Sequence, residues 1–402
     1  MKSDQYNITI QYAQPEDWNA LCDLWVTCFH DSVSFMNYYY DYFFRKSTVL
    51  TLKERNVLKA MIHLNPYKIY IRGKIISSYY MVAVATDAAF RHRGAMTQLM
   101  KKAFADCYAG QIPFVYLMPS DEAIYTPLQF TFICRQYVEQ KYRMGTEYTR
   151  AAITSAKNRV MSEPVSSEKE WETLAALSNR LLAEANDCFT RRDAFYFERL
   201  QMENIADNGN LFLLYAEGKQ IGYLSAACEE EGLEVREIYC LPEWKDEAAN
   251  WLMQTFGGQK GQVIPLLSEP FLRKQQCEKA WMRPIIMGRI IDLKEWIALM
   301  PVEKADFDIT IQVEDHWISE NDGIWHWTAE NGVSCFEHSE DGQWDVHMEI
   351  DALMQWLSGY CSVQLLIQNH QVQYRDSLSE QEVLETLQAI PILHGWVINE
   401  IV

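Results

Sequence analysis

A chain of 402 residues is too long for one hydrophobic core and long enough for two or three, and its 49% hydrophobic and 13% aromatic content is that of a globular protein with no apolar run approaching a membrane span. A formal net charge of −19 excludes nucleic acid as a natural partner, since holding a polyphosphate rests on clustered Lys and Arg; the field attracts a cationic small molecule or a protein amine instead, besides keeping the chain dissolved. Ten cysteines without a C-x-x-C pair and nine histidines without ligand spacing argue against a metal and a disulfide framework, and the start MKSDQYNITIQ lacks a secretory pattern, so a cytoplasmic protein is expected.

Ile8 to Ala13 alternates as a strand. Pro15-Glu16-Asp17 then opens a helix whose Trp18, Leu21, Cys22, Trp25 and Phe29 share a face. A second helical stretch, Phe35 to Phe44, is aromatic almost all round and could line a pocket or an interface as well as a core. From Thr48 to Thr86 the period changes to two, with VLTLKE, VLKAMIHL and ISSYYMVAVAT as consecutive strands.

The most informative stretch follows, MVAVATDAAFRHRGAMTQLMKKAFADCY from Met81 to Tyr108. Met81 to Thr86 is β-prone, and Met96, Leu99, Met100, Ala103, Phe104 and Cys107 fall on one helical face. Between them Arg91-His92-Arg93-Gly94-Ala95-Met96 joins a strand to a helix start, where unpaired N–H groups and the macrodipole receive phosphate oxygens. A bare strand-to-helix turn with solvated arginines has the same spacing.

Phe114 to Met118 is the next strand, expected parallel because a helix precedes it. The run from Pro119 to Pro127 reads as a turn with a short helix, and FTFICRQYVE as a closing strand. Residues 151–165 read as a linker. A degraded copy of the first pattern then follows: the helix of Trp171, Leu174, Leu177, Leu181 and Leu182, the hairpin LFLLYAE to IGYLSAAC, and the strand Val235 to Leu241 leading through Pro242 into a helix from Trp244 to Phe256. Its junction, Cys240-Leu241-Pro242-Glu243-Trp244, has no R-x-x-G and carries an acid, so no cofactor is expected there. MGRIIDLKEWIALM, from Met287, begins a third segment with strands DITIQV, GIWHWTA and VSCFEHS, a helix from Ile350 to Leu357, a strand VQLLIQ and a helix from Ser379 to Ile390.

The stretch around Arg91, Gly94 and Met96 resembles the acetyl-CoA signature of GCN5-related N-acetyltransferases (GNAT), R/Q-x-x-G-x-G/A, with Met96 in place of the usual small residue. With SDEAIY after the next strand, the MGRIIDL junction and a sterol-carrier-like ending, the whole chain resembles the Eis (enhanced intracellular survival) type of that superfamily. The paired domains of N-myristoyltransferases lack such an ending. The resemblance implies a mixed α/β (α+β) fold: a GNAT domain at 1–150 with the acetyl-CoA site, a degenerate GNAT-like domain at 151–286, and a sterol-carrier-protein-like domain at 287–402.

The implied chemistry is acetyl transfer from acetyl-CoA to a primary amine in a ternary complex, without a metal. Backbone of Val84, Ala85 and Thr86 would pair with the pantetheine arm, His92, Arg93, Gly94, Ala95, Met96 and Thr97 would receive the pyrophosphate, and Ser120 and Asp121 would also touch the cofactor. Tyr125 occupies the family's position for the acid that protonates the leaving thiolate, and the terminal carboxylate of Val402 that of the base. A backbone N–H at Val84 to Thr86 would hold the oxyanion; Asp31 and Glu400 are candidate partners for a cationic substrate, each otherwise an ordinary surface carboxylate. The acceptor would be a small-molecule or lysine amine, with no nucleic acid or membrane partner, and the family implies a homohexamer. Two rival readings stand beside this one: a lipid- or acyl-CoA-binding protein with a vestigial first domain, and a scaffold whose interface is Phe35 to Phe44.

Overall fold

Strand propensity near the N-terminus is realised as a meander of long antiparallel strands: β1 (Ile8–Tyr12), β2 (Thr48–Glu54), β3 (Val57–Ile71) and β4 (Lys74–Thr86). The computed structural model describes residues 8–44, 46–141, 159–229, 232–256, 260–300, 302 and 305–400. Between β1 and β2 lie α1 (Trp18–Phe29) and α2 (Val33–Tyr39), the latter capped by Ser32 and running into a π turn through Phe44. Leu21 and Trp25 are buried, whereas Phe29, expected on the same inner face, is 41% exposed at the frayed end of α1. Phe35, Tyr38, Tyr39 and Phe43 all enter the core, so much of the aromatic stretch is interior.

The chain continues through α3 (Ala95–Ala109), β5 (Phe114–Leu117), α4 (Glu122–Tyr125) and β6 (Thr131–Lys141). With α3 as the crossover, β5 pairs parallel to β4.

The central unit has β7 (Val160–Pro164), α5 (Glu168–Ala185), β8 (Cys188–Thr190), α6 (Ala194–Ala206), β9 (Asn210–Ala216), β10 (Lys219–Glu229), β11 (Gly232–Cys240), α7 (Lys245–Thr255), β12 (Gly261–Pro265) and β13 (Cys277–Ile290). Its β9–β10–β11 meander, crossover helix α7 and parallel β12 repeat the β2-to-β5 order. Residues 151–158 of the expected linker lie outside the described residues, but its end is not linker: β7 pairs antiparallel with β9 and closes that edge of the sheet.

The C-terminal unit comprises α8 (Leu293–Ile297), β14 (Phe307–Glu314), β15 (Gly323–Glu330), β16 (Val333–His338), β17 (Val346–Glu349), α9 (Ile350–Leu357), α10 (Val363–Gln368), β18 (Val372–Tyr374), α11 (Glu380–Ala389) and β19 (Trp396–Val397). VQLLIQ, expected as a strand, is the helix α10. Ser362 accepts a hydrogen bond from the Leu365 N–H as its N-cap, and Val363, Leu366 and Ile367 are buried at i, i+3 and i+4, a helical spacing that the short apolar run concealed.

Among the described residues fourteen strands form one sheet in which β13 inserts between β5 and β6, and β6 pairs with β12 to join the N-terminal and central units. β13 runs unbroken through residue 286, where the third segment was expected to begin. Gly288 on this strand has a packing reason: a Cβ there would meet Ile133 Cδ1 at 2.6 Å and Met354 Cε at 3.0 Å, because α9 lies against β6 and β13. β8 pairs with β3 on one side and β19 on the other, so all three units share a seam. The second sheet, β16-β15-β14-β17-β18, belongs to the C-terminal unit alone. Among the described residues no helix is long and apolar enough to cross a membrane.

Candidate active site

β4 and β5 pair only at Tyr79 and Tyr80, so the last six residues of β4 have β3 on one side and an open edge on the other. The β3 ladder breaks in the same place: Met61 pairs with Ala85 and His63 with Val82, leaving Ala83 and Val84 opposite one residue, and Ala83 has φ 50°. Such a bulge bends the strand and re-aims its backbone. Val84, Ala85 and Thr86 therefore form a splayed edge that an extended ligand with amide groups can join as a strand would. The Thr86 carbonyl already accepts from Arg91 Nε at 3.3 Å and lies 3.9 Å from Cys28 Sγ.

Asp87 turns the chain from this edge, accepting from the Ala89 N–H at 2.9 Å and pairing with Lys59 at 3.0 Å. Arg91, His92, Arg93 and Gly94 are exposed, with left-handed backbone at His92 (φ 62°) and Gly94 (φ 73°). The first bond of α3 runs from the Gln98 N–H to the Gly94 carbonyl at 3.1 Å, so the N–H groups of Ala95, Met96 and Thr97 have no carbonyl within the helix to meet. A helix start with such unmet N–H groups is suited to an anion, and the exposed Arg91 and Arg93 precede it in the chain. Met96 leaves it open by packing its side chain beneath α3. A Cβ at Gly94 would touch nothing within 4 Å, so glycine is required there by conformation and not by space.

Beyond β5, Asp121 caps α4 by accepting from the Ala123 N–H at 3.0 Å. Tyr125, at the end of that helix, is 7% exposed and packs edge-on to Phe130 at 6.0 Å. Burial raises the pKa of its phenol, which stays protonated, and Tyr125 lies close enough to Tyr80 to raise the Tyr80 phenol in turn. Ser120 and Asp121 line a cleft of about 550 Å³ whose far wall includes Arg236, Asn399 and Glu400.

Glu400 is the largest departure from expectation. It is buried, not superficial: Thr190 Oγ1 donates to Oε2 at 2.8 Å, while Oε1 has no partner among the described residues. Burial raises its pKa against the opposing pull of Thr190, Arg199 and Arg192. The strand pairing of Trp396 and Val397 with β8 brings it here, and Asn399 fixes the chain by donating to Glu237 at 3.1 Å and accepting from Gln136 at 3.0 Å. Glu237 is held by a two-pronged pair with the buried Arg192 at 2.6 and 2.7 Å. Val402 lies outside the described residues. Asp31, half-buried after α1, accepts from Trp25 Nε1 at 2.6 Å.

Sequence reasoning passed over His63, which faces Val82 across the bulge. Its Nδ1 lies 3.0 Å from the Tyr39 hydroxyl, and full burial pushes its pKa down to about 3, so it is a neutral prop and not a base. Alternation in β3 sets His63 on the face of Lys59 and Asn65, opposite Leu58, Ala60, Ile62 and Leu64, so nothing local marked it as buried; nor did anything mark Thr190, Arg192 or Glu237, which are distant in sequence from the residues they hold.

Residues 9–133 match the family model for an acetyltransferase (GNAT) domain, and residues 293–391 that for a sterol carrier protein domain. Among solved structures, a probable N-acyltransferase from Enterococcus faecalis V583 is similar over 97% of this chain and 100% of its own, with TM-score 0.76 and 17% identity. A GCN5-related N-acetyltransferase from Anabaena variabilis ATCC 29413 is similar over 97% of this chain and 99% of its own, with TM-score 0.75 and 16% identity. Eis1 from Mycobacterium abscessus is similar over 95% and 96%, with TM-score 0.68 and 12% identity. At such identities the likeness establishes a common fold. No curated protein matches the sequence.

Proposed function

The chain carries an acetyltransferase (GNAT) domain and a sterol carrier protein domain on a fold shared with Eis1 from Mycobacterium abscessus, and from that premise we propose that it transfers an acetyl group from acetyl-CoA to a cationic primary amine by direct attack in a ternary complex. One observation carries the reading. The splayed edge at Val84 to Thr86 is flanked by a helix start suited to an anion at Gly94 and, past β5, by a buried, protonated tyrosine.

On this reading Val84, Ala85 and Thr86 pair with the pantetheine amides, His92, Arg93, Gly94, Ala95, Met96 and Thr97 surround the pyrophosphate, and Ser120 and Asp121 border the thioester from the cleft. A main-chain N–H of the bulge receives the carbonyl oxygen as it becomes an oxyanion. The amine nitrogen bonds to the carbonyl carbon, the C–S bond breaks, the sulfur takes the proton of Tyr125, and the nitrogen sheds its second proton, which by way of solvent restores the phenol. An ammonium of pKa ~10.4 must first lose a proton, and the carboxylate of Val402 is the proposed acceptor, with Glu400 as the counter-charge that holds the cation. The same architecture suggests a homohexamer, to be checked by sedimentation.

The test is CoA release with purified protein across aminoglycosides, polyamines and lysine peptides, paired with Tyr125→Phe. Turnover with at least one amine, and a kcat lowered by ~10² to 10⁴ in the variant with acetyl-CoA affinity unchanged, are expected. Full kcat in Tyr125→Phe reassigns the tyrosine to packing. Tight acetyl-CoA binding without turnover on any amine favours an acyl-CoA-binding protein.

A further inference from the structure

The MGRIIDL junction is not explained by acetyl transfer, yet its arginine is buried and fully engaged close to the turn that follows Tyr125. Arg289 is fully buried and distributes its fork over three segments: Nε donates to the Leu128 carbonyl at 2.9 Å, Nη1 to the Ile290 carbonyl at 2.6 Å, and Nη2 to Asp315 Oδ1 at 2.6 Å. Its plane lies 4.6 Å from the ring of Phe104 on α3, the helix whose N-terminus is suited to an anion. Only a guanidinium supplies donors in that spread; lysine has a single point of charge.

Asp315 opens the loop between β14 and β15 and organises it, Oδ1 accepting from the N–H groups of Trp317 and Ile318 at 2.9 and 3.0 Å and Oδ2 from Asn321 at 2.9 Å. The loop then reaches back to the N-terminal unit. Trp317 Nε1 donates to the Pro127 carbonyl at 3.2 Å. Gln129, in left-handed backbone at φ 57°, accepts from the His316 N–H at 3.0 Å and donates to the Glu314 carbonyl at 3.2 Å and to Glu349 Oε2 at 3.0 Å.

Pro127, Leu128 and Gln129 are thus each tied by Arg289 or by the C-terminal unit, and they are the residues that follow Tyr125 almost directly. Within the turn itself the closing bonds are Gln129 N–H to Thr126 O at 2.9 Å and Phe130 N–H to Tyr125 O at 3.3 Å. Such a turn holds a side chain loosely unless its surroundings fix it, and proton delivery tolerates misplacement of only about 0.5 Å. A buried ion pair adds little net stability, so stability does not account for Arg289 and Asp315.

We propose that Arg289 and Trp317 are positioning residues for Tyr125, and that the sterol carrier protein domain serves the reaction by clamping the turn that carries the proton donor. This rests on the reading of Tyr125 as that donor. Trp317→Phe keeps an aromatic ring beside Phe104 and removes only the N–H aimed at Pro127; Arg289→Lys keeps the charge and loses the fork.

The decisive experiment is a double-mutant cycle on kcat with the full chain, Trp317→Phe made in the parent and in Tyr125→Phe, and Arg289→Lys as a second probe where it folds. In the parent Trp317→Phe should lower kcat about tenfold while KM for acetyl-CoA and for the amine stays within about twofold, and in Tyr125→Phe it should have no further effect. An equal loss in both backgrounds, or none in the parent, overturns the proposal while leaving Tyr125 as the acid. Full activity of Tyr125→Phe alone overturns the assignment of the acid, and the clamp with it.

Discussion

The molecule contains the same strand-to-helix junction twice. Between β4 and α3 the linking residues are cationic, Gly94 takes left-handed backbone, and the neighbouring parallel strand has already diverged. Between β11 and α7 the chain also passes through a 3₁₀ turn, at Pro242–Trp244 as at Ala88–Phe90 in the first junction, but Glu243 and the first-turn Asp246 and Glu247 are acidic, and β12 stays paired to β11 as far as Ile238. The bulges differ in the same sense. Ala83 is the bulged residue of β4, but in β11 it is Arg236, whose buried guanidinium pairs with Glu203, Asp207 and Glu234. After β12 the backbone N–H groups of Phe271 and Leu272 are taken by Glu139, and no tyrosine stands between β12 and the end of β13. With the strands paired further along, Arg236 at the bulge and the helix start acidic, no cofactor is expected to bind the central unit. The central unit acts instead as a holder, with Thr190 and the Arg192–Glu237 pair fixing Glu400 and Asn399 against the N-terminal unit.

The sharpest way to test that contrast is Gly94→Glu. It forces a side chain into left-handed backbone, for ~1 kcal/mol, and sets a negative charge where phosphate is to lie. Calorimetry should find one acetyl-CoA site per parent chain and none in the variant, a loss of at least ~100-fold in affinity. Gly94→Ala should lose less than about tenfold, since no atom stands within 4 Å of its Cβ. Glu243→Gly should create no second site, because the zipped strands and Arg236 remain; a second site of similar affinity would show that the acid alone had closed the central unit.

The first site was legible because its signal is local: a β-prone run, R-x-x-G and a helical face lie within one stretch, and each is a consequence of neighbouring residues. The same holds for the order of strands and helices in the N-terminal unit and for the run from β9 through β11 to α7, but not for VQLLIQ, which is the helix α10. What escaped was decided at long range. β8 is three residues long and exists because β3 and β19 flank it, and β13 carries Lys279, Arg283 and Pro284 in a sequence with no alternation, yet lies between two strands. Glu400 reads as a surface acid from its own type and becomes a buried one through residues up to 210 positions away.

The second expected effect concerns the chain end beyond Glu400. If the Val402 carboxylate accepts the amine's proton, two or three residues added after it should lower kcat by ~10² or more, while acetyl-CoA still binds and the melting temperature barely moves. Val402→Leu should be mild, because it keeps the carboxylate and an apolar side chain. Normal turnover in the extended protein would mean that the proton leaves by way of water.

A smaller effect separates the two bulges by pH. Tyr39 donates to Asn65 at 2.8 Å, which leaves its oxygen to accept from Nδ1–H of a neutral His63, and Nε2 has no partner among the described residues to receive a second proton. A histidine whose pKa falls from 6.5 unfolded to about 3 folded stabilises the fold fully above 6.5, and that contribution is lost as the pH falls toward 3. At pH 5 the loss is about 2 kcal/mol. His63→Gln should therefore flatten the decline in unfolding free energy between pH 7 and pH 5 by about that amount. Substitutions at Arg236, which stays charged throughout, should leave the same limb as steep as in the parent.

The smallest effect is at Glu400, where binding and stability pull in opposite directions. A carboxyl whose folded pKa lies above its unfolded value stabilises the fold only while protonated, so its contribution is present in acid and lost as the pH rises through the folded value. At pH 8 the buried carboxylate is a cost, incompletely met by Arg199, Arg192 and one hydroxyl. Glu400→Gln removes that cost and retains an acceptor for Thr190, so the variant should melt at the same temperature as the parent or slightly above it at pH 8, with the difference shrinking toward pH 4. Its KM for a cationic amine should rise about tenfold at pH 8 while acetyl-CoA affinity holds, because the residue at the cleft wall no longer carries charge. A variant that is less stable at pH 8 and unchanged in KM would make Glu400 a structural partner of the two arginines, another part of the scaffold by which the central unit holds the tail.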